Sequence, residues 1–169
     1  DTKVFVQGKL FNADATIGKF GAFSHNGLVI DKGVSGAKFA FGNELKAVIT
    51  AGRVNVSPNS ANTNLQDYRA IELAYAIDDK TTINAGYHEL DNSSVANADK
   101  LKIAEVGVTS KFAQDWTFGA DYAKSNLDRA TSKDTSYFTQ IQYKAADVKK
   151  EGSYDVFLNY RQIASDAQI

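Results

Sequence analysis

The chain has 169 residues, with 19 Lys and Arg against 20 Asp and Glu, a net charge of −1. That balance argues against nucleic acid as the main partner, because phosphate binders concentrate basic charge. With no Cys and two His, a disulfide framework, a thiolate metal site and a cysteine nucleophile are excluded, and a histidine-rich metal site has little material. Mean hydropathy is −0.33 and no apolar run approaches the roughly 20 residues of a membrane helix, numbers that on their own describe a soluble protein. One Pro and no Met stand beside 8 Tyr and 10 Phe, a bias that alternating strands produce.

Asp1-Thr2-Lys3 leads straight into a strand-like segment, so the chain is read as a mature or excised piece. Period-2 alternation recurs from end to end and predicts about ten strands, at 3–10, 13–20, 34–41, 45–54, 68–77, 82–90, 101–112, 116–126, 136–144 and 153–163. The clearest is 69–77, where Ile71, Leu73, Tyr75 and Ile77 share one face and Ala70, Glu72, Ala74 and Ala76 the other. Short polar turns at Gly42-Asn43-Glu44, Asp79-Lys80-Thr81, Ala113-Gln114-Asp115 and 147–152 recur about every 35 residues, the repeat of a two-strand hairpin. Longer connections rich in Ser, Asn, Asp and Ala, at 55–66, 91–99 and 127–134, lie between them.

Reading each of the first three turns as a three-residue loop pairs Phe41 with Leu45, Ile77 with Ile83 and Phe112 with Trp116, and brings Glu72 opposite His88. All three hairpins then gather their large apolar residues on one face. A soluble barrel turns such a face inward and a membrane barrel turns it to lipid. Gly and Ala crowd the polar face (Gly36, Ala40, Ala74, Gly86, Gly107, Gly119), as along the wall of a pore. Trp116 and Tyr122, Tyr137 and Tyr143, and Tyr154 and Tyr160 repeat six residues apart on the apolar face, like two interfacial belts. The expected fold is an all-β, antiparallel up-and-down transmembrane β-barrel, a partial barrel of about ten strands spanning 1–169.

The run from Gly18 to Asp31 (GKFGAFSHNGLVID), followed by Val34-Ser35-Gly36-Ala37-Lys38 and Ala51-Gly52-Arg53-Val54, resembles the barrel region of OmpM-type porins. Ala85-Gly86-Tyr87-His88 and Phe118-Gly119-Ala120-Asp121-Tyr122 fit as well. The resemblance implies a homotrimeric diffusion channel for small hydrophilic solutes in the bacterial outer membrane, in contact with outer-membrane lipid and lipopolysaccharide. It also implies a barrel larger than ten strands and a cell-wall tether through an S-layer homology domain that these residues do not include.

Parity marks the candidate pore lining: Lys38, Lys46, Glu72, Asn84, His88, Glu105, Lys111, Asp121, Gln140, Gln142, Asp155, Asn159 and Arg161. Mixed charges across a pore wet it and set up a transverse field; the same positions suit the solvated surface of a soluble barrel. The segment 23–31 carries the turn signal Asn26-Gly27 and either narrows the barrel through Ser24, His25, Asn26 and Asp31 or is an ordinary connection packed by Leu28 and Ile30. Arg53, Arg69, Lys102 and Lys124 fall on the apolar parity near the long connections, placed for lipid headgroups or as simple rim charges. Asp78-Asp79 lacks the spacing and glycine of a calcium loop. A His–Glu pair without nucleophile or metal partner supplies no catalysis, so the expectation is no enzyme, no cofactor and no metal. The alternative function is a soluble or surface-exposed β-barrel that encloses a small apolar ligand.

Overall fold

The computed structural model describes residues 2–57, 64–91, 100–127 and 133–169. The interiors of the three long connections, 58–63, 92–99 and 128–132, lie outside the described residues. The described residues form one antiparallel sheet in chain order: β1 (Val4–Leu10), β2 (Ala13–Phe23), β3 (Asp31–Phe41), β4 (Leu45–Asn55), β5 (Leu65–Ala76), β6 (Thr81–Leu90), β7 (Leu101–Ala113), β8 (Trp116–Ser125), β9 (Thr135–Tyr143) and β10 (Val156–Gln162). The all-β, up-and-down order read from the sequence is the one observed. β1 and β10 pair on one side only, so the sheet is not closed.

Register slips from the sequence reading at two turns and is shifted by a bulge at a third. β3 and β4 pair Phe41 with Ala47 rather than Leu45, because the turn takes five residues and Gly42 adopts a φ of +84°. β5 and β6 pair Tyr75 with Ile83, because Asp78-Asp79-Lys80 forms the loop: the Asp78 carboxylate accepts the backbone N–H groups of Lys80 and Thr81 at 2.8 and 2.7 Å. Glu72 therefore lies opposite Gly86, and His88 opposite Ala70. Both slips are of two residues, so every side chain keeps its face; a one-residue slip would have inverted them. In β7 and β8, Val106 meets Tyr122 and Ser110 meets Phe118 as expected, but a bulge brings Ala113 rather than Phe112 opposite Trp116.

Between β2 and β3 a 3₁₀ turn, His25–Gly27, places Asn26 and Gly27 at φ of 52° and 64°. Asn and Gly tolerate this left-handed region best. From there His25 contacts Thr109 on β7 and Asp121 on β8, and Arg161 on β10 donates to the carbonyl of Asn26 at 2.9 Å. In a flat sheet β3 and β10 would stand about 34 Å apart, at about 4.8 Å per strand. The sheet must curl around this segment, which gives it a concave inner face and a convex outer one.

The inner face is not polar along its whole length, as the sequence reading had it. Toward the end that carries the β2–β3 connection, Leu28, Val29 and Ile30 pack with Val34, Val54, Leu90, Leu101, Ile103 and Phe138. Ile169 joins them, its N–H bonded to the carbonyl of Val29 at 2.8 Å. The strand residues in this cluster share the parity of the polar set. They are apolar because the in-folded segment presents apolar side chains that must be covered, each worth about 1.5–3 kcal/mol when fully buried.

Candidate functional site

The two faces differ in the opposite sense from a water-soluble barrel. On the convex face Ile49, Ile71, Tyr87, Val106, Phe118 and Tyr122 are exposed, Val106 by 55%. Aromatic side chains meet at two heights there, Trp116 with Tyr143 at 4.9 Å and Tyr137 with Tyr160 at 5.8 Å between ring centroids. On the concave face Glu105 is 3% and Asp121 5% exposed, and His88 is fully covered.

The pore-lining candidates within strands, apart from Lys111 at the β7 bulge, take concave parity, in three settings. Lys38, Lys46, Glu72, Asn84 and Glu105 border a cavity of about 530 Å³, closed on one side by Phe23 to Asn26. His88, Glu105 and Asp121 are buried, so they act as anchors and not as wetted wall. Gln140, Gln142, Asn159 and Arg161 lie on β9 and β10, where Gln142 donates to Asp155 at 3.2 Å. Asp155 precedes β10, outside the strand expected to hold it. Lys111 is exposed near the β7–β8 turn.

The anchors hold the segment in two hydrogen-bonded groups. In the first, the Tyr68 hydroxyl bonds His88 Nδ1 at 2.9 Å, and His88 Nε2 stands 3.3 Å from Glu105 Oε2, close enough for an ion pair but without hydrogen-bond geometry. Glu105 Oε1 in turn lies 3.5 Å from the Ser24 hydroxyl, which accepts the N–H groups of Val29 and Ile30. The expected Glu72–His88 pair is thus replaced by Glu105–His88, a consequence of the two-residue slip in β5 and β6. In the second, Asp121 accepts from Asn26 Nδ2 at 2.6 Å and contacts His25 Nδ1. His25 Nε2 lies 3.0 Å from the Thr109 hydroxyl. A β-carbon at Gly107 would collide with the Asp121 carboxylate and stand 2.7 Å from His25 Nδ1, so bare backbone makes room for the contact.

Of the four constriction candidates, His25 and Asn26 reach across the concave face. Ser24 is fully buried and anchors the segment from within. Asp31 is a correction: β2 runs on to Phe23 and β3 starts at Asp31, so the two pair in the sheet and Asp31 is exposed at outer parity.

No family model matches the chain, and no curated protein does. The four basic residues expected at lipid headgroups each have an acidic neighbour: Arg69 lies 3.8 Å from Glu89 and Lys124 3.7 Å from Asp134, while Arg53 and Lys102 stand opposite Asp67 and Glu89 in register. Among the described residues no three His, Cys, Asp or Glu side chains gather as metal ligands do. The sequence reading missed Tyr68 and Thr109, although both carry the parity of Glu72 and Glu105. It also missed Ser136, whose buried hydroxyl accepts the Ala164 N–H at 2.8 Å and turns the stretch after β10 inward.

Proposed function

We propose that this chain is the barrel segment of an OmpM-type porin in the bacterial outer membrane, working as a trimer that passes small hydrophilic solutes along its concave face without catalysis. The observation that carries this reading is the inversion of the faces, with large apolar side chains exposed on the convex side and Glu105, Asp121 and His88 buried on the concave one. In water such a continuous apolar surface is a liability, whereas in a bilayer it meets hydrocarbon. The in-folded His25 and Asn26 narrow the aqueous path. Unpaired amides of β1 and β10 would each cost several kcal/mol in hydrocarbon, so in the membrane both edges pair with further strands, consistent with a barrel of more than ten.

The test is detergent dependence. The reading expects aggregation in plain buffer, a folded β-form in detergent, and ion conductance when the full-length protein enters a planar bilayer. A monodisperse, folded monomer in plain buffer would refute it. The apolar cluster around Leu28 to Ile30 favours the second reading, a soluble barrel that holds a small apolar ligand; that reading expects such a monomer to bind a fatty-acid probe.

A further inference from the structure

The 530 Å³ cavity between the segment and the inner wall falls in the range that holds small ligands. Among the described residues, the Glu72 carboxylate that borders it has no hydrogen bond and no ion pair, in contrast to Glu105, which is held by His88 and Ser24. Asn84 Nδ2 is buried with no hydrogen-bond partner. Among the described residues Lys46 makes no ion pair, and the Lys38 ammonium rests 5.3 Å from the Phe20 ring centroid, near enough to Glu72 to act on its charge through space without forming an ion pair with it.

The sheet register sets these groups out in rows. Lys46, Ala74 and Asn84 lie across from one another. The next row holds Val48, Glu72 and Gly86, and the row beyond it holds Lys38 and Thr50. Glu72 thus stands between two lysine rows, each a diagonal step or more away. Diagonal neighbours on one face are separated by about 7–8 Å, within reach of long side chains. Among the described residues, a carboxylate and two ammonium groups that form no direct ion pair, and one amide donor without an acceptor, surround a single space.

We propose that this cavity is a binding subsite for a small peptide-like zwitterion, an amino acid or a dipeptide. Its ammonium is taken by Glu72, its carboxylate by Lys46, and a carbonyl oxygen by Asn84 Nδ2. The inference deepens the channel reading and rests on it only in taking the concave face as open to water. A solute with one charge satisfies one side of the cavity and leaves the other as it was, so the complementarity is to the charge pair.

The experiment is titration calorimetry of the full-length protein in detergent with three probes of similar size: glycylglycine, N-acetylglycine and glycinamide. Glycylglycine is expected to bind at least tenfold more tightly than either singly charged probe. Glu72→Gln is expected to weaken glycylglycine binding at least tenfold, and so is Lys46→Gln, a change at an exposed side chain that leaves folding undisturbed. Equal binding of N-acetylglycine and glycylglycine, or binding indifferent to either substitution, would overturn the proposal. Bilayer conductance on the same preparation separates the two readings. Conduction without glycylglycine binding overturns the subsite and leaves the channel standing, whereas binding without conduction supports the subsite and overturns the channel.

Discussion

Gly107 shows how much of the concave face depends on the absence of one methyl group. The Asp121 carboxylate fills the space a β-carbon would take, and it is pinned there by His25 and Asn26. Gly107→Ala should cost about 1–3 kcal/mol, the usual penalty for overpacking a fitted site, measured by denaturant unfolding in detergent. Gly8 is the control: nothing lies within 4 Å of a β-carbon there, so Gly8→Ala should change stability by less than about 0.5 kcal/mol. Tyr68 is the second test at this scale. Its hydroxyl serves His88 Nδ1 in a fully buried setting, and Tyr68→Phe leaves that nitrogen unpartnered at about 1–3 kcal/mol. Equal stability of the variant and the parent chain would mean that water replaces the hydroxyl and that the group does not anchor the segment.

At the scale of strands and turns, the convex face and the β5–β6 turn each make a prediction. Val106, on outer parity in the middle of β7, should tolerate Arg poorly: about 2–4 kcal/mol is lost when Arg or Lys replaces a lipid-facing residue near the bilayer midplane. The same change on a solvated strand would be close to neutral, so unfolding of Val106→Arg in lipid separates the two environments. In the turn, the backbone N–H groups of Lys80 and Thr81 hold the Asp78 carboxyl below its ordinary range. A lowered folded value means that Asp78 stabilises the turn above its unfolded value of about 3.9 and loses that contribution as pH falls through the folded value. The gap in thermal midpoint between the parent chain and Asp78→Ala should therefore be present at neutral pH and close in acid. These elements were legible in the sequence because alternation reports faces, and faces survive a register error of two residues. The turn lengths were not legible: the Asp78 hydrogen bonds and the positive φ of Gly42 that set them are local geometry. The partner of His88 depends on the register, and the apolar end of the concave face is not legible in alternation, because Leu90, Leu101 and Ile103 are apolar only to cover Leu28, Val29 and Ile30 of the in-folded segment, a contact between distant parts of the chain.

For the whole molecule, the curl of the sheet and the in-folded segment are one feature. His25 and Asn26 bridge β7, β8 and β10 from a connection between β2 and β3, and Leu28 to Ile30 fill the curl behind them. Removing 24–30 outright would therefore confound narrowing with loss of packing, since the apolar cluster would go with it. His25→Ala combined with Asn26→Ala frees the tip from Asp121 and Thr109 while keeping Leu28, Val29 and Ile30 in place. If the tip narrows an aqueous path, single-channel conductance of the full-length double variant should rise about twofold or more, because conductance through a wide pore follows its narrowest open cross-section. The deletion should raise it further, at a cost in stability that the double variant does not show. Unchanged conductance in both would mean that ions pass elsewhere and that the segment serves to hold the curl, with His25–Asp121 a purely structural contact.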